Sequence, residues 1–125
     1  MKTQAEITTS LNTIRTCLDI DVVGAIIEDV QNKCLSLTQL MGLSAETTAS
    51  AKKLLGEKEV EIFITKDLDK LAPQKAMKLL KSYCSHEIAT LEYAERLNSG
   101  LVHTIDALRS TMSLYKSEMQ NGLRQ

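Results

Sequence analysis

The chain has 125 residues, of which 43% are hydrophobic and 25% charged, and its formal net charge is −1. That is enough chain for one core but not two. The near-zero charge argues against general attraction to nucleic-acid phosphates, and an aromatic content of 3% without Trp argues against base-stacking platforms. Leu, Ile, Val, Ala and Met must therefore build the core, which suits helix-on-helix packing, and we expect a single helical domain over 1–125.

The N-terminal Met1–Glu6 stretch has no apolar signal core, and nowhere does the chain run apolar for the ~18 residues that a membrane span requires. The expectation is a cytoplasmic protein with no membrane segment. Cys17, Cys34 and Cys84 are widely spaced, without a Cys-x-x-Cys pair, and each falls on an apolar stripe. They read as small core hydrophobes in a reducing compartment, not as a disulfide or zinc framework.

Ile7, Leu11, Ile14 and Leu18 recur at helical spacing, and the phase continues through Val22, Ile26, Val30, Cys34, Leu37 and Met41. This predicts helix over about 3–41, either as one element or kinked near 19–24, where Asp19, Asp21 and Gly24 stand. Gly42 followed by Leu43 has the composition of a helix stop, and Ser44 that of the next N-cap. The second helix is expected over 45–64. Val60, Ile62 and Ile64 alternate as a strand would, but a lone strand has no partner for its backbone, so helix is preferred.

Residues 65–73 form the expected connection, ending at the only proline, Pro73, which fits the first turn of a helix. Around it Lys66, Lys70, Lys75, Lys78 and Lys81 form a possible basic patch against Asp67 and Asp69. Such a stretch could serve an acidic partner or nucleic acid, but a solvated polar face is the preferred explanation.

The last helix is predicted over about 74–120, where a seven-residue repeat runs through Met77, Leu80, Cys84, Leu91, Ala94, Leu101, Ile105, Leu108, Met112, Tyr115 and Met119. Glu87, Asn98 and Gly122 interrupt it. Unbroken, this helix would reach about 70 Å at ~1.5 Å per residue. A compact domain of this length is only about 35–40 Å across. Either Asn98-Ser99-Gly100 turns the helix back on itself, or the helix stays whole and another chain covers the surplus stripe. The phase survives those three residues, which favours the continuous helix. Asn98 on the seam would then fix register across the contact. The interaction stripe is Leu91, Asn98, Leu101, Ile105, Leu108, Met112, Tyr115 and Met119.

Candidate chemistry is sparse. Cys84, His86 and Glu87, or His103 and Asp106, offer metal-ligand types but no four-ligand set, and the Glu-x-x-His pattern of di-iron bundles is absent, since Tyr83 precedes His86 and Gly100 precedes His103 by three. No phosphate loop or nucleophile elbow is present. Arg96 and His103, with six residues between them, resemble the Arg-x(4–6)-His pair of the all-helical HEPN ribonucleases. That resemblance implies His103 and Arg96 acting on a scissile phosphate at a dimer cleft. Ion pairing of Arg96 with Glu92 and of His103 with Asp106 explains the same residues without catalysis.

The sequence thus reads as all-α, a three- or four-helix up-down bundle with one long C-terminal helix. The function expected is that of a small non-catalytic scaffold or adaptor, without metal or cofactor, whose last helix binds its own copy or another helical protein. A nucleic-acid-associated accessory subunit using Lys66–Lys81 and a HEPN-like ribonuclease are the alternatives.

Overall fold

A computed structural model describes residues 2–20 and 27–123, and among these every regular element is helical. The helices are α1 (Gln4–Asp19), α2 (Ile27–Gln39), α3 (Met41–Thr65), α4 (Pro73–Tyr83) and α5 (Ser85–Leu123), with a 3-10 turn at Leu68–Lys70. The alternating Val60–Ile64 segment is the end of α3, as its lack of a strand partner requires.

The fold centres on α5, against which α2 and α3 run antiparallel in succession. Ser44 meets Asn98, Ala51 packs with Ala94, and Ile62 lies with Cys84 and Ile88. Farther along, Val30, Cys34 and Leu37 of α2 close on Leu101, Ile105 and Leu108. α1 lies beside α3 and the first half of α5, running parallel to α5. Its Gln4 reaches Thr90, and its Leu18 comes up against Gly100. A continuous 3–41 helix is thereby ruled out: α1 ends at Asp19 with Ile20 extended, and α2 returns in the opposite direction. The expected kink near 19–24 falls mostly on residues 21–26, outside the described residues.

Thr3 caps α1, its Oγ1 accepting from the Glu6 amide at 3.3 Å. Between α2 and α3 the predicted stop at Gly42 and cap at Ser44 are displaced. The chain turns at Leu40, whose amide bonds to the Leu37 carbonyl, and α3 already begins at Met41. Ser44 sits inside that helix, fully buried, and its hydroxyl donates to Asn98 Oδ1 at 2.8 Å. A tertiary partner captured the hydroxyl that local chemistry would have used as a cap.

The single helix expected over 74–120 is also corrected. It bends at Cys84, the one non-helical residue between α4 and α5, while Asn98-Ser99-Gly100 stays helical. Hydrogen bonds continue through the elbow, from Cys84 N–H to Leu80 O and from Ile88 N–H to Cys84 O. Few backbone groups are orphaned, so the bend costs little. In return Cys84 is wholly buried with Ile62, Leu68 and Ala76, closing the end of the bundle under α4.

A second feature tightens the middle. Ser44, Thr47, Ser50 and Ala51 are all buried on one side of α3, which allows close approach of its neighbours. Thr47 returns its hydroxyl to the Leu43 carbonyl, and Ser50 accepts from the Lys2 amide. These small polar groups are buried with partners, the condition under which burial is tolerated.

Candidate functional site

The stripe read from the sequence divides in two. Leu101, Ile105 and Leu108 are buried, and Leu91 half-buried, but the cover comes from α1, α2 and α3 of the same chain. Asn98 likewise spends its side-chain oxygen on Ser44, so any register it sets is internal. Beyond Met112 that cover ends among the described residues. Met112 is half-buried, while Leu114, Tyr115 and Met119 are exposed, Met119 by 54%.

Helical geometry explains why these residues remain a set. Met112, Tyr115 and Met119 recur at three and four residues, on one face of α5. Ile27, the first residue of α2, stands against that face. Together with Gln31, Arg109, Ser113 and Lys116 they enclose an open groove of about 740 Å³. Its floor is apolar. Arg109 and Lys116 are the charged residues lining it, both exposed and with no ion-pair partner among the described residues. Glu28 follows Ile27 and is exposed on the outward side of α2, near Gln31 in helical angle. The groove therefore has a cationic wall on α5 and an acidic rim on α2.

The five lysines of the basic stretch do not act alike. Lys70 lies 3.8 Å from Asp67, and Lys66 stands over the Tyr83 ring at 5.2 Å. Lys75, Lys78 and Lys81 share the exposed side of α4, opposite buried Ala76. Asp67 itself adopts a left-handed conformation, with φ 49°, which Asp tolerates better than most residues.

Arg96 and His103 both lie exposed on α5, away from the buried face. His86 is exposed beside Gln4, at 3.4 Å between Nε2 atoms, and Cys84 is buried apart from it. No group of three or more His, Cys, Asp or Glu comes together among the described residues to hold a metal ion. Burial, followed by the nearby Glu87 carboxylate, pushes the Cys84 thiol above its ordinary range, which opposes thiolate chemistry there. No described helix is long and apolar enough to cross a membrane.

A second depression escaped the sequence reading. Phe63, Leu68, Leu71, Pro73, Met77 and Leu80 help to line a space of about 380 Å³ where α3, the 3-10 turn and α4 meet. Its signal was present in Phe63 and Met77, apolar residues near helix ends, but the turn at Leu68–Lys70 and the packing of α4 on α3 bring them together. Comparison with protein-family profiles, with curated proteins and with solved structures gives no match.

Proposed function

We propose that this protein is a small non-catalytic helical scaffold or adaptor that works through the free end of α5. One observation carries the reading: the same apolar stripe that α1, α2 and α3 cover up to Leu108 is only half-covered at Met112 and, among the described residues, lies exposed at Tyr115 and Met119. Fully covering a side chain of this size contributes about 1.5–3 kcal/mol, before association costs are subtracted. A second helix laid along the stripe provides that cover by the packing that already holds the core.

Site-specific photocrosslinking in the native cells tests this directly. A photoreactive phenylalanine in place of Tyr115 should give a discrete protein adduct. The same group in place of Ser117, on another side of the helix, should not. Equal adducts from both positions, or none from either, would remove the proposal.

A further inference from the structure

We infer that the groove at Ile27 and Met112 takes a second copy of this chain, paired about a two-fold axis. This rests on the reading of α5 as a docking arm and names its occupant. The argument is charge complementarity. Arg109 and Lys116 line the α5 wall, and among the described residues no carboxylate lines the groove. Glu28 stands on the outward flank of α2, just outside it. A partner of one sign would satisfy one wall and be repelled by the other. In a two-fold pair the same patch meets itself in reverse, so each cationic wall can face the other copy's acidic rim. The apolar floor of Met112, Tyr115 and Met119 is shared by both copies.

Charge reversal distinguishes this from any other occupant. Light scattering should find the wild type as a dimer at tens of micromolar, dissociating as salt is raised. Arg109→Glu combined with Lys116→Glu should be monomeric, and so should Glu28→Lys. Mixed in equal amounts, the two variants should form a heterodimer, because each supplies the sign that the other lost. Their far-ultraviolet circular dichroism should match the wild type, which excludes unfolding as the cause of dissociation.

A wild type that is monomeric throughout this range would overturn the inference. So would variants that remain dimeric, or a mixture that fails to associate. If crosslinking from Tyr115 yields an adduct whose mass is not that of two chains, the docking arm stands and the second copy falls. If it yields none, both fall.

Discussion

The two halves of α5 carry one pattern and meet two fates. Up to Leu108 the stripe is buried against three helices of the same chain; beyond Met112 it faces solvent. Periodicity therefore specifies which face of a helix can be covered, not what covers it. That second property depends on where the other helices end. Among the described residues, α2 is seen from Ile27, opposite Met112, and its antiparallel packing on α5 reaches no further along α5 than that.

The contrast breaks most sharply by truncation in each half. Leu101→Ala should lower unfolding free energy by about 2–5 kcal/mol, since Leu101 is fully buried where α1, α2 and α5 converge. Met119→Ala should change monomer stability by less than about 0.5 kcal/mol. Urea titration of both variants at low protein concentration measures the difference.

Next in size is the close contact inside the wrapped half. Ala94→Leu forces added volume against Ala51 and Ile7 and should cost about 1–3 kcal/mol by the same titration. Ser44→Ala should cost about 1 kcal/mol, because it removes the donor to half-buried Asn98 Oδ1. Neither change should affect association through the arm.

At the connection, Asp67→Val should destabilise by about 1–2 kcal/mol, because a β-branched residue is strained at positive φ. Asp67→Gly should be neutral or mildly stabilising, which shows that conformation outweighs the exposed Lys70 pair.

The smallest effect is a pH dependence. The Cys84 thiol is raised in the fold above its ordinary value of 9.0, so the unfolded chain loses this proton first. Its stabilising contribution is present below about pH 9 and declines as pH rises through the folded thiol's range. Stability measured against pH should fall less steeply above 9 for Cys84→Ala than for the wild type.

Much of the fold was legible because the core is built from aliphatic residues at helical spacing. The all-α class, the helical state of Val60–Ile64, the loop before Pro73 and the continuity through Asn98–Gly100 all follow from that spacing and from backbone hydrogen bonding. The elbow at Cys84 was not legible. A small apolar residue in phase with its stripe gives no local sign of a bend, and only the burial gained against Ile62 and Leu68 selects it. Gly42 and Ser44 misled for the complementary reason. Their local propensities point to a helix boundary, but Asn98, distant in sequence, holds the serine inside α3. The candidate site was half legible. Met112, Tyr115 and Met119 stood out by period, whereas Ile27 and the charges flanking the groove required the antiparallel return of α2.

Hydrogen exchange along α5 as a function of protein concentration tests the division of this helix most directly. Amides between Leu91 and Leu108 should be protected equally at every concentration, while those from Ser113 to Gly122 should exchange fast in dilute solution and slow as copies associate. Protection of the distal stretch that is already high when dilute, or that never changes with concentration, would contradict the idea of an arm awaiting a second chain.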